Sequence, residues 1–76
     1  MLEVDASGLK CPLPILRAKK ALSTVCGGER VQVLSTDPAS PSDFEAFCRQ
    51  AGHTLVEWQE ADGCFRFVLQ KRPEPA

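Results

Sequence analysis

The sequence contains no apolar run approaching the roughly 20 residues that a membrane-spanning helix needs, so no membrane span is expected. It also lacks a C-x-x-C pair, because its four cysteines stand at positions 11, 26, 48 and 64. With a single histidine, His53, beside them, they do not read as a zinc site. There is no glycine-rich nucleotide loop and no pair of carboxylates at a recognisable catalytic spacing. No cofactor or metal is therefore expected. The net charge of −1 at pH 7 and the lack of an aromatic stacking cluster argue against a surface built to hold nucleic acid. No internal repeat or low-complexity stretch interrupts the chain.

What is present fits one small domain. Seventy-six residues, 43% of them hydrophobic and 25% charged, are ordinary for a globular fold with a modest core. We expect one domain over residues 1–72 and a disordered tail over 73–76, where Pro73-Glu74-Pro75-Ala76 offers nothing to pack. No secretory signal is expected, since an alternating strand pattern starts at Leu2. A disulfide framework is a poor fit too. Disulfide-stapled small domains are loop-rich, whereas this chain reads as continuous strands and helices, so a reducing cytoplasm is the expected compartment. No strong self-association feature is visible, and a monomer is expected.

Charge is uneven along the chain. Residues 1–36 carry five basic and three acidic side chains, and residues 37–76 carry four and seven. Lys10, Arg17, Lys19 and Lys20 form a basic cluster with no acid among them.

Leu2-Glu3-Val4-Asp5-Ala6 alternates as a half-buried strand does, and Ser7-Gly8 breaks it. A helix is predicted from about Pro12 to Thr24, with Ile15, Ala18, Leu22 and Val25 on its apolar stripe and Leu16 broadening it. Arg17, Lys19 and Lys20 fall outside that stripe. Cys26-Gly27-Gly28 is predicted to stop the helix, with glycine in a left-handed cap. The β-branched run 30–36 is the next strand. Strand, helix and strand then form a parallel, right-handed βαβ unit.

Asp37-Pro38-Ala39-Ser40-Pro41 is turn chemistry, with Ser40 expected to cap a second helix and Asp43 to reach back to it. Phe44, Phe47, Cys48 and Ala51 make the stripe of that helix, and Gly52 ends it. Residues 53–60 and 64–71 read as two strands joined by the hairpin signal Ala61-Asp62-Gly63. In the first of these the alternation is too poor to assign an inner face. The order βαβαββ predicts an α+β two-layer sandwich, a four-stranded sheet with both helices on one face.

The chemistry centres on Ser7-Gly8-Leu9-Lys10-Cys11-Pro12-Leu13-Pro14. Two prolines just ahead of a helix-forming run mark a helix start, because a first-turn N–H has no intrahelical partner to lose. Cys11 then stands where free N–H groups and the positive end of the helix dipole favour a thiolate. Its pKa is expected below the free value. Lys10 and Arg17 add positive charge nearby. Lys10, Arg17 and Lys20, with Leu9 and Leu13 as an apolar centre, suit an acidic protein partner.

The remaining candidates read more plainly. Cys48 belongs to the core, Cys26 to a loop and Cys64 to a strand start. Trp58 is expected packed or half exposed rather than as a binding platform. His53 could form an activating dyad with Cys11 only if the fold brought them together.

Cys11-Pro12-Leu13-Pro14 with the preceding Asp5-Ala6-Ser7-Gly8-Leu9-Lys10 resembles the CPxP signature of the TusA (SirA-like) sulfur-carrier family. Gly28-Glu29, Asp37-Pro38-Ala39, Phe47-Cys48, Gly52-His53 and Asp62-Gly63 follow in that family's order, so the resemblance runs over about residues 2–71. It implies a sheet order of 1-2-4-3 and a sulfurtransferase that carries sulfane sulfur as a persulfide on Cys11. Gly8, Pro12 and Pro14 would position the cysteine. A cysteine desulfurase or rhodanese would be the donor and another protein the acceptor, in relays such as tRNA thiolation, sulfur oxidation, molybdenum-cofactor supply or thiosulfate uptake. Two rivals stand beside this reading: a thiol–disulfide redox protein, and a non-enzymatic RNA- or protein-binding module on the same fold.

Overall fold

The computed structural model describes residues 1–73, so all but the first residue of the expected tail lies outside the described residues. Six elements follow one another: β1 (Leu2–Ala6), α1 (Leu13–Leu22), β2 (Arg30–Ser35), α2 (Ser40–Ala51), β3 (Thr54–Ala61) and β4 (Cys64–Gln70). The sheet order is β1-β2-β4-β3, as the family resemblance implied. β1 and β2 run parallel, joined by the α1 crossover, while β4 lies antiparallel to both β2 and β3.

Register explains the single core. Ala6, Ser35 and Phe65 lie side by side across the sheet, as do Val4, Val33 and Phe67, and Leu2, Val31 and Leu69. Alternation puts all of them on one face. Ala18 and Leu22 of α1 and Phe44 and Cys48 of α2 close over that face. The Phe44 and Phe67 rings stack with centroids 4.4 Å apart at its centre.

The other face carries a polar chain. Gln32 Nε2 donates to Glu3, Arg66 Nη1 donates to Gln32 Oε1, and Arg66 Nη2 lies 3.6 Å from Glu57 Oε1. Gln32 and Glu57 are the two cross-strand neighbours of Val68. Arg66 bridges these two neighbours, and Val68 is 4% exposed although it sits on the outer face.

Two helix ends differ from expectation. α1 ends at Leu22 with Ser23 as its right-handed cap, and no glycine caps it. The Ser23 and Thr24 hydroxyls satisfy the Lys20 and Ala21 carbonyls instead. Gly28 is left-handed, with φ 86°, but serves the entry to β2, where its N–H donates to Lys71. At the start of α2, Ser40 is not the cap. It is the first helical residue, and its buried hydroxyl bonds the Ser35 hydroxyl at 2.6 Å. A hydroxyl this deep needs an internal partner, and Ser35 supplies one. Asp43 makes no capping bond either. Gly52 does close α2 in the left-handed conformation, and Asp62-Gly63, both at positive φ, turn the β3–β4 hairpin.

Burial pushes the Cys48 thiol up from 9.0 to about 11. A raised folded value means that stability is intact while both states keep the proton. It falls once the unfolded chain ionises and the folded one cannot. Cys48 should thus cost on the order of 2 kcal/mol of stability between about pH 9 and pH 11. Urea titrations of the wild type and Cys48→Ala at mildly and strongly alkaline pH measure this. An unchanging difference between the two proteins would contradict it.

Candidate active site

Cys11 lies in the loop between β1 and α1, two residues ahead of the first helical residue, and its side chain is exposed. Pro12 is the N-cap of α1, Pro14 is buried within the first turn, and the Cys11–Pro12 peptide is cis. The loop is pinned at three points. Leu9 N–H donates to Ala6, Gly8 N–H donates to the Thr36 hydroxyl at 2.8 Å, and Cys11 N–H donates to Asp37 Oδ2 at 2.7 Å. Gly8 adopts φ +78°, a conformation that glycine takes without penalty. The start of α1 is thereby tied to the end of β2, the strand beside β1.

Thr36 and Asp37 anchor the cysteine loop, a contact the sequence does not mark, where Asp37 is turn chemistry and part of the family pattern. It does make that turn, since Oδ1 accepts the Ala39 N–H at 3.0 Å, while its other oxygen reaches Cys11. These two backbone bonds, from Ala39 first and Cys11 second, hold its carboxyl below the usual value. With a depressed folded value, the stability from this tie is present above about pH 4 and lost as pH falls through the folded value.

A cleft of about 310 Å³ opens in front of the thiol, lined by Gly8, Leu9, Lys10 and Cys11 on one side and by Thr36 to Ala39 on the other. Leu13, Leu16, Arg17 and Lys20 line a second open hollow on the neighbouring surface of α1. Leu13 is 46% and Leu16 52% exposed. The residues expected at a partner surface thus fall into two adjoining groups, with Leu9 and Lys10 at the thiol and Leu13, Arg17 and Lys20 along the helix. Leu16, expected to broaden the buried stripe of α1, belongs to this surface instead.

One expectation fails in sign. The Cys11 thiol is held above its ordinary value, not below it. The causes are a hydrogen bond to the Asp43 side chain, then partial desolvation, then the negative charges of Asp43 and Asp37. Each of these disfavours the thiolate.

The remaining candidates are elsewhere. His53 lies past the C-terminal end of α2, where its Nδ1 accepts the Arg72 N–H at 3.0 Å. Burial, then Arg72 and Lys71, lower its pKa. His53 is not among the groups that act on the Cys11 thiol, so no Cys–His dyad forms. Cys26 is exposed beyond the far end of α1, Cys48 is buried, and Cys64 alternates with Phe65 onto the outer face of the sheet. Trp58 is 40% exposed and packs beside Phe65 and Phe67.

The structure is a two-layer α+β domain that presents an exposed cysteine on a pinned loop at a helix start, beside an open cleft. The family model for the sulfurtransferase TusA matches residues 2–71, and the chain belongs to that family. It is 56% identical over 69 residues to a putative sulfur carrier protein of Neisseria meningitidis serogroup A, covering 91% of this chain and 93% of that one. It is 52% identical to the sulfur carrier protein TusA of Allochromatium vinosum, covering 91% of each. Among solved structures, a SirA-like protein of Desulfitobacterium hafniense superposes with a TM-score of 0.82 at 31% identity, over 95% of this chain and 99% of that one. Sulfur transfer, as a sulfur carrier, is accordingly the broad function of this chain.

Proposed function

We propose that this protein accepts sulfane sulfur as a persulfide on Cys11 and passes it to a cysteine of a second protein. The observation that carries this reading is the placement of Cys11. It is an exposed thiol on a three-point-pinned loop, open to a docking protein on both the cleft side and the α1 side. Gly8, Pro12 and Pro14 shape that loop, and Leu9, Lys10, Leu13, Arg17 and Lys20 offer the apolar and basic surface around it.

The chemistry needs one cysteine per hand-over. Cys11 loses its proton, and the thiolate attacks the outer sulfur of a donor persulfide, R–S–SH. The donor S–S bond breaks, and R–S⁻ leaves with the electron pair and takes up a proton. Cys11–S–SH remains. An acceptor thiolate, R′–S⁻, then attacks the outer sulfur, giving R′–S–SH and releasing the Cys11 thiolate. No external oxidant or reductant is consumed in either step. The donor is of the cysteine desulfurase or rhodanese type, and a reducing compartment such as the cytoplasm keeps the thiol available.

The test is mass spectrometry of the intact protein and its peptides after incubation with a cysteine desulfurase plus cysteine, or a rhodanese plus thiosulfate. One reductant-labile sulfur on the Cys11 peptide is expected. No gain from either donor, with Cys11 still freely alkylated, would overturn the reading in favour of a binding module. The redox rival gains nothing from the placement of the other cysteines, on the far side of α1, in the core and on the opposite sheet face. A Cys11 disulfide formed under mild oxidation would revive it.

A further inference from the structure

Asp37 forms part of the wall of the cleft that Cys11 lines. Its Oδ2 accepts the Cys11 N–H at 2.7 Å and its Oδ1 the Ala39 N–H at 3.0 Å, so both oxygens are held in place. Its own N–H lies 3.3 Å from the Ser35 hydroxyl, which is bonded to Ser40 in the core. A cysteine sulfur stays within about 4 Å of its own amide nitrogen, which puts Oδ2 within about 7 Å of the Cys11 sulfur. The partners of the carboxylate are neutral N–H groups, and among the described residues no ion pair cancels its charge. Of the other charges here, Lys10 acts on Asp37, and Asp43 acts on the thiol. Arg17 and Lys20 line the other hollow, along α1.

We propose that Asp37 is a specificity-determining residue, whose fixed carboxylate on the cleft wall turns small sulfur-bearing anions away from Cys11 and favours neutral or cationic groups. The inference rests on Cys11 being the sulfur-accepting residue and says which donors reach it. Thiosulfate, polysulfides and the persulfides of small acidic thiols arrive as anions, and the carboxylate opposes each of them at short range. A persulfide borne on a protein brings its own surface, and basic side chains beside it are attracted to the same wall. A docking protein that matches both hollows presents acidic groups to α1 and neutral or basic groups to the cleft. Small anionic sulfur compounds then load the carrier through a protein intermediary rather than directly.

The measurement is the rate of Cys11 alkylation by neutral iodoacetamide divided by the rate with anionic iodoacetate, read on the Cys11 peptide. Both reagents consume the same thiolate, so the ratio cancels any change in how much of the thiol is ionised. Asp37→Asn removes the charge and should lower the ratio about twofold at low ionic strength, with the difference fading as salt is added. Asp37→Glu keeps the charge and should stay nearer the wild type. Glu45→Gln removes an exposed charge from α2 and should leave the ratio in place.

A folded Asp37→Asn protein with the wild-type ratio would overturn the proposal. So would an equal fall in Asp37→Glu, which would trace the effect to loop geometry, or in Glu45→Gln, which would reveal a diffuse field. If the Asn variant does not fold, Asp37→Ser is read in the same assay with the same outcomes. Alkylation needs no sulfur donor, so this result is independent of whether wild-type Cys11 can be loaded with sulfur.

Discussion

Cys11→Ser should take up no sulfur from either class of donor while keeping the wild-type melting curve. A serine hydroxyl is a poor nucleophile toward sulfur and cannot hold a persulfide, so the loss should be complete rather than graded. Stability should be spared because the side chain is exposed, and what pins the loop here is the Cys11 backbone N–H, which the substitution retains. The matching changes Cys26→Ser and Cys64→Ser should leave loading intact, since those residues lie beyond the far end of α1 and on the other face of the sheet. Peptide mass spectrometry of the three variants decides the matter. Sulfur retained by Cys11→Ser on another cysteine would move the site.

The largest effect on stability should come from Phe67→Ala. Phe67 is fully buried on β4, stacked 4.4 Å from Phe44 and flanked by Phe65 and Trp58. Removing a buried phenylalanine ring typically costs about 3–5 kcal/mol, through lost transfer energy plus the cavity left behind. At about 0.05–0.15 kcal/mol per residue, a chain of this length has a total of roughly 4–11 kcal/mol to lose. The variant should therefore be largely unfolded or melt at least about 12 °C lower. Urea denaturation followed by circular dichroism measures it. A loss under about 1 kcal/mol would mean that the core is not organised around this ring pair.

How much of this was legible beforehand varied with the range of the interactions involved. Local patterns carried the elements, and Phe44, Phe47 and Cys48 at helical spacing put α2 in place. β3 resisted assignment for a definite reason. The register with β4 shifts between Leu55 and Glu57, so Val56 is an extra residue and the alternation restarts in the opposite phase. Leu55, Trp58 and Glu60 thereby share the helix-facing side, opposite Leu69, Phe67 and Phe65.

Cys11 could be picked out because its prolines are adjacent in sequence. The carboxylates that govern it could not. Asp37 is 26 positions away, and Asp43 is on another helix. The inference of a depressed thiol pKa used the helix start and the nearby Lys10 and Arg17, whereas a hydrogen bond to Asp43, desolvation and then the Asp43 and Asp37 charges raise it. Ser40 misled for a similar reason, because its hydroxyl was claimed by Ser35 in the core before the helix end could use it.

The polar chain from Glu3 through Gln32 and Arg66 to Glu57 has a consequence for the size of the molecule. A four-stranded sheet has two sides, and the helices here cover one. Proteins with a fully apolar second side add further helices or another sheet on top of it, at the cost of many more residues. Here side chains from all four strands, Glu3, Gln32, Arg66 and Glu57, are linked across that side around Val68 and Leu34, so it can face water without a third layer.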